Sequence, residues 1–198
     1  MASEPALWVV RHGQTEWSRD GRHTGRTDIE LTGEGELQAS ALEGFAAALA
    51  PQRVLVSPRS RALRTAELAR LVPFEVVPDL AEWDYGDLEG LTTVEIQAEL
   101  PGWSIWDGPW PGGETAADVS ARADRVIALV RSGAAERVIA VGHGHFSRVL
   151  AARWVGAPVS AGRWLELDTA AWSKLGWDRA TPMLSHWNVP AASRGREK

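Results

Sequence analysis

Cysteine is absent from the 198-residue chain, which excludes disulfide bonds, thiol nucleophiles and metal sites built on cysteine. Long apolar runs are missing too, since none approaches the roughly 20 residues that a membrane-spanning helix requires. The N-terminal segment has neither the basic region nor the apolar stretch of a signal peptide. We therefore expect a cytoplasmic protein that has no membrane partner.

Positively charged residues are outnumbered: the chain has 21 Lys and Arg residues and 26 Asp and Glu residues, which gives a net charge of −5. This balance argues against nucleic acid as a partner, although a local basic cluster is compatible with it. Hydrophobic residues make up 44% of the chain and charged residues 24%, which are the proportions of a globular protein. At this length we expect one domain, spanning residues 1–198.

Tyrosine and phenylalanine are scarce, with one and three residues, but tryptophan occurs eleven times. Tryptophan suits core edges, pocket walls and interfaces alike, so the number alone does not choose among them. Five tryptophans lie beside the motifs described below or in a segment rich in proline and glycine: Trp17, Trp83, Trp103, Trp106 and Trp110. We expect two or three of these five to line a substrate pocket.

Short β-branched runs alternate with helical patterns along the chain. The runs at 7–10, 54–56 and 138–141 predict buried strands, with weaker candidates at 74–77, 164–167 and 172–175. Helices are predicted at 33–49, from Ser57-Pro58 to about Leu71, and at 93–100, 116–131 and 146–155. This order predicts an α/β fold, a three-layer sandwich whose mainly parallel central sheet is flanked by helices.

Two segments fall outside this alternation. Proline and glycine are dense within 92–113, which predicts a short lid insertion over one end of the sheet. The tail 191–198 is polar, and we expect it to fray.

Polar side chains follow three of the predicted strands. Arg11 and His12 follow the first, the segment from Ser57 to Arg61 follows the second, and His143 follows a central one. Because the carboxyl ends of parallel strands meet at one edge of a sheet, these residues are expected to share a crevice. Histidines and arginines together suit a phosphate group. Glu82 and Glu89 follow a further strand candidate, and either is a candidate for proton transfer.

Four segments of the chain resemble, in order, the motif blocks of the histidine phosphatase superfamily, the phosphoglycerate-mutase-like clan. The blocks are Arg11-His12-Gly13-Gln14-Thr15 with Thr24-Gly25, the segment 57–66 (SPRSRALRTA), the segment 82–90 (EWDYGDLEG), and Gly142-His143-Gly144. An Arg-His-Gly tripeptide alone is a weak signal, whereas four ordered blocks are specific.

The resemblance implies a role for each matching residue. His12 would be the nucleophile that becomes phosphohistidine, and Glu82 would protonate the leaving oxygen. Arg11, Arg61 and His143 would hold the phosphoryl oxygens. Fixed cations of this kind stabilise the transition state without a metal or another cofactor. Glu82 has to be protonated first and act as a base later, which requires a pKa raised toward neutrality or an acidic working pH.

Further residues beside these blocks are expected to contact the phosphate or the rest of the substrate: Ser18, Thr24, Gly25, Trp83, Trp106 and Gly144. Ser18 stands where the mutases carry Asn, and His145-Phe146 stands where they carry Asn-Ser. The lid is also shorter than a mutase is expected to need. Trp83-Asp84-Tyr85 and the segment 143–148 (HGHFSR) look more like the bacterial acid phosphatases and sugar bisphosphatases, which favours hydrolysis. We expect His145 to be packed and hydrogen-bonded rather than a metal ligand, and His23 and His186 to lie at the surface.

The sequence thus predicts a metal-independent phosphomonoesterase acting on a small phosphorylated metabolite, with sugar phosphates as candidates. A phosphoglycerate mutase that depends on 2,3-bisphosphoglycerate shares the same blocks and is the first alternative. A non-catalytic protein that binds a phosphorylated metabolite is the second, and a metal-dependent hydrolase using the five histidines is the least favoured. A homodimer is compatible with the sequence.

Overall fold

A six-stranded sheet forms the centre of the computed structural model, which describes residues 4–191. The strand order is β3-β2-β4-β1-β5-β6. The strands are β1 (Ala6–Arg11), β2 (Arg53–Val56), β3 (Glu75–Val76), β4 (Arg137–Gly142), β5 (Trp172–Asp178) and β6 (Thr181–Val189). Strands β1 to β4 run parallel, whereas β5 and β6 are antiparallel additions at one edge. The predicted α/β fold with a mainly parallel sheet is confirmed.

Helices cover both faces of this sheet. They are α1 (Glu16–Asp20), α2 (Gly33–Ala41), α3 (Glu43–Leu49), α4 (Ser60–Leu68), α5 (Thr93–Glu99), α6 (Ala116–Arg131) and α7 (Gly144–Trp154). Short 3-10 helices lie at Pro78–Leu80, Gly86–Leu88 and Val159–Trp164. Side chains of a strand alternate between its two faces. In β1, Leu7 and Val9 therefore join the core beneath α6 and α7, while Trp8 and Val10 join the core beneath α3 and α4.

Several predicted elements differ from the observed ones. The predicted helix 33–49 is two helices that meet at Leu42, and their buried residues are Gly35, Ala39 and Ala46, whereas Leu37 is 68% exposed. Residues 164–167 form no strand, because the 3-10 helix runs to Trp164 and leaves that side chain 78% exposed. Strand β6, which the sequence pattern did not predict, occupies the edge instead.

The segment 92–113 packs onto the sheet through its aromatic and aliphatic side chains. Ile96, Trp103, Ile105 and Trp106 are buried in the core beneath α6 and α7. The indole N–H of Trp103 donates to the carbonyl of Pro109 at 2.8 Å. No helix within residues 4–191 has the length and apolar character needed to cross a membrane. The predicted fraying of 191–198 concerns residues that, apart from Ala191, lie outside the described range.

Candidate active site

Three neighbouring parallel strands deliver the predicted site residues to one edge of the sheet. Arg11 is the last residue of β1 and His12 follows it, Ser57 follows β2, and His143 follows β4 as the N-cap of α7. Since β2, β4 and β1 are adjacent, their carboxyl ends meet. The rings of His12 and His143 lie edge to face with centroids 5.2 Å apart.

A hydrogen bond to the backbone holds the His12 ring through Nδ1 and leaves Nε2 unprotonated. Its Nδ1 lies 2.7 Å from the carbonyl oxygen of Gly13, and a carbonyl only accepts, so Nδ1 carries the proton. Burial, with the nearby charges of Arg61 and Arg11, holds the pKa of His12 well below its usual value. The ring is therefore neutral near pH 7, and the lone pair of Nε2 is available for nucleophilic attack.

His143 is fixed by a buried serine. Its Nε2 lies 2.7 Å from the hydroxyl of Ser57, and both side chains are fully buried. The same hydroxyl accepts from the backbone N–H of Arg59, and among the described residues the acceptor available to its own proton is Nε2 of His143. In the neutral ring this leaves the proton on Nδ1, and burial lowers the pKa of His143 well below its usual value.

The arginines are braced by backbone carbonyls. Arg61 donates through its terminal nitrogens to the carbonyls of Thr24 and Thr27, each at 3.0 Å. Arg11 donates to the carbonyl of Leu167 at 2.6 Å. Burial lowers the pKa of both arginines from their ordinary values, which is the cost of removing a guanidinium from water.

Buried side-chain nitrogens without a hydrogen-bond partner fall, in the described part of the chain, within the motif blocks. Within residues 4–191, the buried side-chain nitrogens that make no hydrogen bond are Nε of Arg11, Arg59 and Arg61 and Nδ1 of His143. Buried polar groups are nearly always hydrogen-bonded, so these exceptions, on residues whose charges act on His12 and His143, indicate a binding site. Four donors, three of them cationic, are chemically matched to a phosphoryl group.

Glu82 is anchored at the N-terminus of α7. Its Oε1 accepts from the backbone N–H groups of Trp83 at 2.8 Å and Phe146 at 2.7 Å, and its Oε2 accepts from that of His145 at 3.0 Å. Oε2 therefore accepts one bond fewer than Oε1. Glu82 also borders the cavity described next, and Oε2 keeps more free acceptor capacity than Oε1 for a ligand there.

A cavity of about 210 Å³ opens over His12. Its lining residues are Arg11, His12, Ser18, Gly21, Arg22, His23, Thr24, Glu82, Tyr85, Thr93, Gly144, His145, Arg148 and Leu167. Ser18, Thr24 and Gly144 therefore lie where substrate contact was expected. Arg61 and His143 are fully buried and are not part of this lining.

Three of the expected contact residues do not line the cavity. Trp83 is fully buried, and its indole N–H donates to the carbonyl of Glu114 at 2.8 Å. The backbone N–H of Gly25 is taken by the Glu89 carboxylate at 2.8 Å, so it is not available to a phosphate. Trp106 packs beneath His145, with ring centroids 5.4 Å apart. Packing and a local hydrogen bond use the groups in question, so the structure does not bring these three residues to the cavity.

Other cavity residues were not expected from the sequence. His23, predicted at the surface, is 7% exposed, and its Nδ1 donates to the carbonyl of Leu91 at 3.0 Å. Tyr85 places its hydroxyl 2.6 Å from Nδ1 of His145, which confirms that His145 is packed and hydrogen-bonded. The position of Tyr85 inside the third motif block, three residues after Glu82, was the available signal.

Burial keeps three of these cavity residues, His23, Tyr85 and His145, uncharged near pH 7. Burial lowers the pKa of His23, and it lowers that of His145 well below the usual range, with help from the charge of Arg148. Burial also raises the pKa of Tyr85 well above its ordinary value. Within the described part of the chain, no three His, Asp or Glu side chains are arranged to hold a metal ion.

Comparison with known proteins agrees with this geometry. A model of the histidine phosphatase superfamily (branch 1) matches residues 7–190. The chain is 42% identical over 182 residues to an acid phosphatase of Mycobacterium tuberculosis, covering 90% of each, and 36% identical over 189 residues to a sedoheptulose 1,7-bisphosphatase of Saccharomyces cerevisiae, covering 78% of this chain and 69% of that protein. A solved structure of an open reading frame of M. tuberculosis matches with a TM-score of 0.91 at 40% identity, covering 94% of this chain and 98% of that one. The chain therefore belongs to the histidine phosphatase superfamily, as its four sequence blocks predicted.

Proposed function

We propose that this protein is a metal-independent phosphomonoesterase that hydrolyses a small phosphorylated metabolite through a phosphohistidine on His12. The observation that carries the proposal is the cluster of four unpartnered buried nitrogens, from Arg11, Arg59, Arg61 and His143. The charges of Arg11 and Arg61 act directly on the His12 ring. We expect a phosphoryl group bound by these donors to lie within reach of Nε2.

The first step transfers the phosphoryl group to the protein. The lone pair of His12 Nε2 forms a bond to phosphorus while the bond from phosphorus to the leaving oxygen breaks. Negative charge develops on the leaving oxygen, and Glu82 donates the proton that neutralises it. The alcohol leaves, and His12 carries the phosphoryl group with its Nδ1 proton still directed to Gly13.

The second step regenerates the enzyme. A water molecule attacks phosphorus and gives a proton to the Glu82 carboxylate, while the bond between His12 Nε2 and phosphorus breaks. Inorganic phosphate leaves and Glu82 again holds the proton it needs. During both steps, Arg11 and Arg61 stabilise the charge on the equatorial oxygens. They supply the positive charge that a metal ion provides in other phosphatases.

The cavity supports a small substrate. Its volume of about 210 Å³ lies below the roughly 300–1,000 Å³ of typical ligand pockets, which favours a compact substrate. The names of the two curated relatives, an acid phosphatase and a sugar bisphosphatase, point to sugar phosphates as the first class to test. Action in the cytoplasm and a homodimer stay predictions from the sequence.

The test is a hydrolysis screen over sugar phosphates, sugar bisphosphates, phosphoglycerates and aryl phosphates at several pH values. We expect His12→Ala to lower the rate by roughly 10⁴-fold or more, and the exposed His186→Ala control to keep the parent rate. Activity should survive EDTA and be blocked by vanadate. A His12→Ala variant that retains the parent rate contradicts the mechanism.

The same screen separates the alternatives. Isomerisation of 3-phosphoglycerate that requires added 2,3-bisphosphoglycerate identifies a mutase instead. Tight binding of phosphorylated metabolites without turnover of any of them identifies a non-catalytic binding protein. Loss of activity in EDTA, restored by a divalent cation, identifies a metal-dependent hydrolase.

A further inference from the structure

Arg122 is a buried arginine of α6 that binds the backbone leading to Glu82. Its side chain reaches that backbone from the middle of the helix, and the residue is 7% exposed. Its terminal nitrogens donate to three backbone carbonyls, those of Asp79 at 2.9 Å, Ala81 at 2.6 Å and Glu82 at 3.2 Å. A single side chain therefore holds the segment that ends at Glu82.

The carboxylate of Glu114 completes the hydrogen bonds of this guanidinium. Its Oε1 accepts from Nε of Arg122 at 2.8 Å, and its Oε2 accepts from a terminal nitrogen at 2.6 Å. Together with the three carbonyls, these bonds match the five N–H donors that an arginine carries. A two-point bond to a carboxylate also fixes the plane of the guanidinium. The side chain of Arg122 is thus held in one orientation.

Glu114 also binds the backbone on the other side of Glu82. Its Oε2 accepts from the backbone N–H of Asp84 at 3.0 Å, and its own N–H donates to the carbonyl of Asp84 at 3.0 Å. The indole N–H of Trp83 donates to the carbonyl of Glu114 at 2.8 Å. The Arg122–Glu114 pair therefore fixes the chain both before and after Glu82.

Arg122 further contacts a second segment that binds the Glu82 carboxylate. Its guanidinium lies over the ring of Phe146, with the central carbon 4.3 Å from the ring centroid. The backbone N–H of Phe146 donates to Oε1 of Glu82 at 2.7 Å. Neither Arg122 nor Glu114 borders the cavity over His12, so the pair acts on a substrate there through the residues that it holds.

We propose that Arg122 and Glu114 are positioning residues that hold the Glu82 carboxyl in the orientation from which it protonates the leaving oxygen. The inference rests on the proposed function, in which Glu82 supplies that proton. A buried ion pair contributes little to stability by itself, because the desolvation of both charges offsets their attraction. The bonds to the backbone on both sides of one carboxyl instead indicate a preorganised proton donor.

The dependence of kcat/KM on the leaving group tests this role. The 4-nitrophenolate anion leaves without a proton, whereas the alkoxide released from benzyl phosphate requires one. Glu82→Gln should therefore lower kcat/KM for benzyl phosphate about 100-fold more than for 4-nitrophenyl phosphate. Arg122→Lys and Glu114→Gln should show the same selectivity at about tenfold, because the acid is present but misplaced.

Arg125→Met is the matched control. Arg125 lies on the same helix but binds the side chain of Asp79 in an exposed ion pair at 2.8 Å, so both kcat/KM values should stay within about twofold of the parent. Circular dichroism checks that each variant is folded. If a single variant is not, Arg122→Met combined with Glu114→Leu removes both charges together, which avoids an unpaired buried charge, and should show the same selectivity.

The protein that already carries Glu82→Gln gives a second readout. Adding Arg122→Lys to it should change kcat/KM for either ester by less than about twofold, because the carboxyl that the pair holds is gone. A loss of stability alone would lower the values for both esters equally and would persist in the Glu82→Gln protein.

Three outcomes overturn the positioning role while leaving the hydrolysis intact: equal losses with the two esters, a parent-like ratio in the folded variants, or an additive loss in the Glu82→Gln protein. A parent protein that hydrolyses neither ester contradicts the proposed function and, with it, the role of the pair. Equal losses of the two esters in Glu82→Gln itself contradict Glu82 as the proton donor, and the pair then has no donor to position.

Discussion

The hydroxyl of Ser57 lies 2.7 Å from Nε2 of His143, and neither side chain is accessible to solvent. This pair links the carboxyl ends of β2 and β4. Ser57 fixes the proton of the neutral His143 ring on Nδ1, the nitrogen that has no partner among the described residues. Ser57 was not among the residues expected to contact the phosphate. Its hydrogen bond nevertheless sets which nitrogen of His143 carries the proton that can be donated to a phosphate.

Ser57→Ala should therefore lower kcat/KM for phosphate monoesters by about tenfold, which corresponds to roughly 1.4 kcal/mol. The variant leaves Nε2 of His143 without its buried partner and frees the ring to exchange its proton between nitrogens. Steady-state kinetics measure the effect. Ser40→Ala, which removes a hydroxyl that donates to the carbonyl of Glu36, is the control, and parent-like kcat/KM in Ser57→Ala would refute the assignment.

Gly13 allows two backbone segments to approach closely. A Cβ added there would lie 2.2 Å from the carbonyl oxygen of Gly35, so the backbone would have to move. Gly13→Ala should reduce the free energy of unfolding by about 3 kcal/mol or more. Gly33→Ala, where nothing lies within 4 Å of the added Cβ, should instead be neutral or stabilise by up to about 1 kcal/mol. Urea unfolding measures the free energy of unfolding of both variants. Equal values for Gly13→Ala and Gly33→Ala would show that the close approach of Gly13 to Gly35 does not constrain the residue at position 13.

Glu89 positions Arg61 through the intervening loop. Its carboxylate accepts from the backbone N–H groups of Gly25, Arg26 and Thr27 at 2.8 to 3.0 Å, and the carbonyls of the same loop accept from Arg61. Glu89→Gln should weaken inhibition by inorganic phosphate about tenfold and reduce stability by roughly 1–3 kcal/mol.

Inhibition constants and urea unfolding test this role of Glu89 together. Glu67→Gln is the matched control, because the Glu67 carboxylate makes an exposed ion pair with Arg64 at 3.5 Å, and it should change stability by less than about 0.5 kcal/mol. A Glu89→Gln variant that loses stability but binds phosphate as the parent does would mean that the loop does not position Arg61.

Buried histidines should make the fold sensitive to acid. The pKa values of His12, His23, His143 and His145 are all lowered in the folded protein, so the unfolded chain binds more protons below its histidine pKa of about 6.5. The free energy of unfolding should fall as the pH falls below about 6.5, by up to about 1.4 kcal/mol per pH unit for each histidine. Above about pH 7.5 these groups contribute no slope.

Urea unfolding at about pH 7.5, 6.5 and 5.5 measures this slope. His23→Gln should reduce it, because one neutral buried histidine is removed. A stability that does not fall between the last two pH values, or a slope that His23→Gln leaves unchanged, would contradict the neutral state assigned to these rings.

Residues that follow a strand could be placed from the sequence alone. His12, Ser57 and His143 follow short apolar runs, and the parallel order of those runs brings them together. The roles that depend on long-range packing could not be predicted. Whether Trp83 faces the cavity or the core, and whether His23 is exposed, is decided by neighbours from distant segments such as Glu114 and Leu91.

Hydrogen bonds between distant segments of the chain could not be predicted from the sequence either. Ser57-Pro58 has the local pattern of a helix start, yet α4 begins at Ser60, whose backbone N–H and hydroxyl both donate to Asp28 from another segment of the chain. The partners of Glu89, more than 60 residues away in sequence, carry no local signal. Such contacts depend on the folded sheet, which brings the segments together.

A phosphorylated form of His12 is the intermediate on which the proposed mechanism depends. Mixing the protein with a substrate from the screen, quenching in alkali within the first turnover and measuring intact mass tests for it directly. We predict the addition of one phosphoryl group, stable in alkali and labile in acid, mapped to His12 by peptide sequencing and absent from His12→Ala. Rapid hydrolysis with no such adduct, or an adduct on another residue, would contradict the mechanism.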